Sequence, residues 1–77
     1  MVNRQSANRI SHKSLLHSKW TKIPVLNKEK HFIVSELEFN EDQTIIRCVI
    51  QAVINRAEYE INWRSLKDPK QWLIGWR

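Results

Sequence analysis

Apolar side chains fall on every second position through residues 44–54: Ile46, Cys48, Ile50, Ala52 and Ile54, with Arg47 and Gln51 between them. A two-residue period places such a series on one face of an extended chain, so the run predicts a central β-strand. The rest of the chain has to supply that strand with neighbours. Residues 19–23 alternate in the same way and meet Pro24, which suits a short first strand or edge strand that stops there. In residues 30–39, Phe32 and Val34 fall in one phase and Ile33, Leu37 and Phe39 in the other. A strand there is either covered on both faces at its start or shifts phase at a bulge near Ser35. Residues 57–63 send Tyr59, Ile61 and Trp63 inward and Glu58, Glu60 and Asn62 outward.

The connections follow from turn chemistry. Asn40-Glu41-Asp42-Gln43 and Asn55-Arg56 read as turns. Ser11 is placed to cap one or two helical turns that tuck Leu15 and Leu16 onto the core, and residues 64–67 suit a turn or a short 3₁₀ segment. Asp68-Pro69 offers a cap followed by a proline at the first helical position, which predicts a short helix over residues 70–74. Trp72 and Trp76, four apart, would then share a face, with Gly75 ending the helix. The expected fold is mostly β, an antiparallel meander of about four strands with a short C-terminal helix. A small, partly open SH3-like barrel is one natural way to close it. Residues 1–9 read as a flexible basic arm, and residues 10–77 as a single tryptophan-rich β domain.

A chain of 77 residues buries only about 60–65% of its unfolded surface, so its core is thin. Hydrophobic content of 42% with 27% charged residues argues against both disorder and a membrane span. No apolar run follows Met1-Val2-Asn3-Arg4-Gln5-Ser6, so the reading is a soluble chain without a signal peptide, cytoplasmic by default and without membrane contact. Cys48 has no partner in the chain, which fits a reducing compartment. His12, His17, His31 and Cys48 match no zinc spacing, so neither a metal nor a cofactor is expected.

Enzymatic chemistry finds no foothold either. One glycine cannot build a phosphate-cradling loop. Cys48 lies on the apolar face of its strand, where an inert thiol is the better reading. Glu36, Glu38, Glu58 and Glu60 alternate outward like a solvated sheet face. The expectation is a binding module rather than an enzyme.

Charge and aromatic content indicate what it would bind. Up to Val34 there are seven basic residues against Glu29 alone, a net +6, whereas the remainder carries six against seven, a net −1. Such a basic half attracts polyanions. The four tryptophans are either core, which a thin-cored chain needs, or stacking platforms for unpaired bases. Trp63 and Trp72 read as core. Trp20, between lysines, and the near-terminal Trp76 keep the second role open. The candidate binding set is therefore Lys19, Trp20, Lys22, Lys28, Lys30, Arg64 and Trp76. Its expected partner is RNA, a ribonucleoprotein or single-stranded DNA. The alternative is a protein partner for which exposed tryptophans act as anchors, the chain itself being a monomer or a weak dimer.

Ser18-Lys19-Trp20-Thr21, Pro24, Asn27-Lys28-Glu29-Lys30-His31-Phe32-Ile33-Val34, Trp63-Arg64-Ser65-Leu66-Lys67-Asp68, Trp72 and Gly75-Trp76 occur in that order. Together they resemble a family of small tryptophan-rich bacterial proteins of uncharacterised function, over about residues 10–77. The resemblance implies a small stand-alone chain and brings with it no activity, ligand or catalytic residue. The segment before Asn8 looks longer than that family needs, which weakens any role for Arg4 and Arg9.

Overall fold

The computed structural model describes residues 7–77. A single helical turn, α1 (His12–Leu15), precedes β1 (Lys19–Leu26), β2 (Glu29–Phe39), β3 (Ile45–Ala52) and β4 (Glu58–Ile61). A 3₁₀ turn (Trp63–Lys67) and β5 (Trp72–Ile74) complete the chain. All five strands join one antiparallel sheet in the order β4-β3-β2-β1-β5. The expected meander is there, but the sheet stays open, with β4 and β5 as its edges, and the SH3-like closure is not formed.

The core lies on one face. Trp20, Phe32, Val34, Cys48, Ile50, Ala52 and Trp72 come from the strands, and Leu15, Trp63 and Leu66 cover them from α1 and the 3₁₀ turn. Of the two readings open for β2 the structure takes the bulge: Val34 pairs with Ile50 and Glu36 with Val49, leaving Ser35 unpaired. Leu37 thereby joins Cys48 on the core side.

β3 departs from the uniform alternation of its sequence. A second irregularity, between the pairs Glu38–Arg47 and Phe39–Ile45, turns Ile45 inward at 4% exposure and Ile46 outward at 60%. Ile54 lies beyond the strand in the connecting loop and is exposed. That loop is closed by Arg56 N–H donating to the Ala52 carbonyl and Ala52 N–H donating to the Ala57 carbonyl. Pro24 does not stop β1. The strand continues to Leu26 through a stretch where pairing with β2 lapses, so the missing proline N–H costs no ladder bond.

The predicted C-terminal helix is a turn followed by a strand. The Asp68 carboxylate accepts from Lys70 N–H at 2.9 Å and Gln71 Nε2 at 3.0 Å, and its carbonyl accepts from Gln71 and Trp72 N–H. The capping chemistry is as expected but closes a single turn. Trp72, Leu73 and Ile74 then pair with Lys22, Thr21 and Trp20 of β1, so Trp72 and Trp76 do not share a helical face. The donation from Gln71, ahead of that from Lys70, holds the Asp68 carboxyl below the ordinary carboxylate range. This stabilisation is present above that range and is lost as pH falls through it.

Of the expected arm, residues 1–6 lie outside the described residues. Asn8 belongs to the fold: its N–H donates to the Lys67 carbonyl, and its Nδ2 donates to the carbonyls of Leu66 and Trp72, both at 2.8 Å. It ties the 3₁₀ turn to β5. At α1, Leu15 is buried as expected but Leu16 is exposed, and Ser11 holds the N-cap position without a side-chain capping bond. Among the described residues no helix is long and apolar enough to cross a membrane.

Candidate functional site

The face of the sheet opposite the core carries Lys19 and Thr21 from β1, and His31 and Ile33 from β2, because these residues alternate with Trp20, Phe32 and Val34. Gly75, at φ +83°, turns the chain out of β5 in a conformation that suits glycine, and the last residues fold back over that face. Gly75 N–H donates to the Lys19 carbonyl, the Thr21 hydroxyl to the Gly75 carbonyl, and Arg77 N–H to the Thr21 hydroxyl. The Arg77 main-chain oxygen accepts from His31 Nε2 at 3.1 Å.

Trp76 is thereby fixed on the open face. Its indole N–H donates to the Phe32 carbonyl at 2.9 Å, its ring stacks on His31 at 5.8 Å and 30°, and Lys19 Nζ lies 4.8 Å from the ring centroid. Trp76 remains 43% exposed, against 3% for Trp20 and Trp72 and 8% for Trp63. An aromatic surface, an ammonium and an imidazole meet here, those of Trp76, Lys19 and His31, beside the main chain of Arg77, whose Nε donates to the Ile74 carbonyl at 3.1 Å.

The other expected binding residues lie elsewhere. Trp20 is in the core, its indole N–H donating to the Ser18 hydroxyl at 2.8 Å, so it presents no stacking surface. Lys22 is on the core side of the sheet, 5.3 Å from the Trp72 centroid. Arg64 packs over Trp63 together with Lys67. Lys28 and Lys30 are exposed at the β1–β2 turn, whose residues Asn27 and Lys28 both take positive φ. Three tryptophans thus carry a cation on the ring, an arrangement worth about 0.5–1 kcal/mol each at exposed sites.

Charge is divided across the open face. Arg47 of β3 bridges Glu36 at 2.8 Å and Glu60 at 3.4 Å, so the β3–β4 side is acidic and internally paired while the β1–β5 side is basic. The sequence asymmetry becomes a spatial one. Quenching by iodide should act on one emission component, that of Trp76; comparable quenching of all four tryptophans would contradict the burial just described.

Cys48, 1% exposed, has its thiol pushed up to about 11 by burial. It should resist disulfide-exchange reagents near pH 8 until denaturant is added. Because the folded value lies above that of the free thiol, its contribution to stability is present below about pH 9 and declines as pH rises toward 11. A thermal-melt series from pH 8 to about 11 measures it.

His31, Thr21 and Arg77 were absent from the sequence-level site. His31 sits one residue from Phe32, and only the pairing of Thr21 with His31 and the return of the chain after Gly75 bring it under Trp76.

Fold and site define a small all-β domain with a one-sided core and one partly exposed tryptophan on the sheet face opposite it. A family model described as Tryptophan-rich protein (DUF2389) matches residues 18–77, and the chain belongs to that family. The matched span holds all four tryptophans and all five strands. No curated protein and no solved structure matches the chain.

Proposed function

We propose that this protein is a non-enzymatic module that binds single-stranded RNA, or equivalent single-stranded DNA, on the open sheet face. The observation that carries this reading is Trp76, the tryptophan left 43% exposed, flanked by Lys19 and His31. A base stacks on the indole in place of the Lys19 ammonium, which is then free to meet a phosphate. Arg77, Lys28 and Lys30 extend the basic track, and the paired acidic side around Arg47 limits the footprint to β1, β2 and β5. Stacking is sequence-tolerant because every base offers a π-face, so little base preference is expected on this face. A cytoplasmic setting, where RNA is abundant and Cys48 stays reduced, goes with this reading.

Titration with a mixed-sequence single-stranded RNA at low and moderate salt tests it. The expected result is low-micromolar affinity that falls about tenfold between roughly 50 and 200 mM salt, as displacement of counterions from a few phosphates requires. Absence of salt-sensitive binding removes the proposal. Partners recovered from a lysate that survive nuclease would favour instead a protein docked on Trp76.

A further inference from the structure

The core side of the sheet is not covered throughout. Between the β1–β2 turn and β4 it leaves a cavity of about 360 Å³, whose walls include Phe32, Tyr59 and Trp72. Phe32 meets Trp72 at 5.4 Å and Tyr59 at 6.3 Å, both edge to face, so the three rings form a continuous aromatic lining. Glu29, only 6% exposed, also lines it. The Tyr59 hydroxyl donates to both of its carboxylate oxygens at 2.7 and 2.9 Å, and Asn55 Nδ2 donates to one at 2.7 Å.

Those bonds orient the carboxylate without neutralising it. Among the described residues no lysine or arginine comes within 4.0 Å of it. Although Lys28 and Lys30 flank it in sequence, the fold turns Glu29 into the cavity. A buried carboxylate with neutral partners alone is costly to keep, and a cation that entered the cavity would remove that cost. The rings already show the matching affinity, since Lys22 Nζ lies 5.3 Å from the Trp72 centroid while donating to the Ile23 carbonyl.

We propose that this cavity receives the guanidinium of an arginine side chain from a polypeptide partner, lying on the aromatic wall with its charge toward Glu29. Guanidinium is planar, weakly hydrated and well suited to stacking, whereas ammonium holds its water more tightly. Lys22 is the internal competitor that leaves the ring when the arginine enters. This surface is on the other side of the sheet from Trp76 and is independent of RNA binding.

The test uses the full chain and N-acetyl-arginine amide, followed through the Trp72 indole N–H resonance. Saturable shifts are expected, at least threefold weaker with N-acetyl-lysine amide. Glu29→Gln, which removes the charge but keeps an oxygen for Tyr59, should weaken binding about tenfold. Lys22→Met, which removes the competitor, should tighten it about threefold. If Glu29→Gln fails to fold, Lys22→Met decides: unchanged or weaker binding overturns the proposal. So does non-saturable shifting in the parent protein, or equal response to the lysine amide. Loss of RNA binding in Trp76 variants leaves all these outcomes unaffected.

Discussion

Trp20→Ala is expected to cost about 3–5 kcal/mol, the range for deleting a buried indole. In a domain whose total stability is of order 5–15 kcal/mol with a thin core, that leaves it barely folded or unfolded. Trp20 is 3% exposed, pairs with Phe32 on one side and Ile74 on the other, and belongs with Leu15 to the buried cluster. Its indole donates to the Ser18 hydroxyl, which donates to the Leu15 carbonyl at 2.6 Å. The substitution therefore removes the indole's bond to Ser18 as well as the ring. With about 4–8 °C lost per kcal/mol for a domain this small, the melting midpoint should fall by at least about 12 °C. Trp20→Phe keeps most of the apolar area and should cost about 1–2 kcal/mol. A Trp20→Ala protein that melts near the parent and has lost only RNA affinity would return Trp20 to the binding surface.

The alternation of Lys19, Trp20 and Thr21 already turned Trp20 inward. What misled was the charge of its neighbours: alternation puts Lys19 on the other face, while Lys22, on the same side as Trp20, lies over the Trp72 ring, so neither bears on the burial of the residue between them. The bulge at Ser35 was legible since Phe32, Val34 and Leu37 can share a face only if the phase changes between them. The irregularity at Ile46 was not, because Ile45-Ile46 satisfies either phase and the choice is made by pairing with Phe39. β5 was hidden for a related reason. Asp68 and Pro69 serve a turn as well as a helix start, and five residues are too few to sustain a helix against the ladder bonds offered by β1. The two surfaces with unassigned chemistry depend on contacts far apart in sequence: His31 with Trp76, and Glu29 with Tyr59 and Asn55. No local pattern announces such meetings.

Trp76→Ala should separate site from scaffold in the opposite sense. The ring is almost half exposed, and its removal gives up one hydrogen bond to the Phe32 carbonyl and the contacts with His31 and Lys19. The stability loss should therefore stay below about 1.5 kcal/mol. Stacking of a base on an aromatic side chain contributes about 1–3 kcal/mol, so RNA affinity should fall about tenfold or more. Trp76→Phe retains a π-face without the indole N–H and should bind within about threefold of the parent. Lys19→Gln leaves the ring in place and should reduce the salt dependence by about 0.7 in the log–log slope, the value for one phosphate contact on a single strand. A large drop in melting temperature with RNA affinity intact would make Trp76 a pin for the returning C-terminal segment. The proposed RNA face would then lose its aromatic half, leaving dispersed lysines that cannot hold a base.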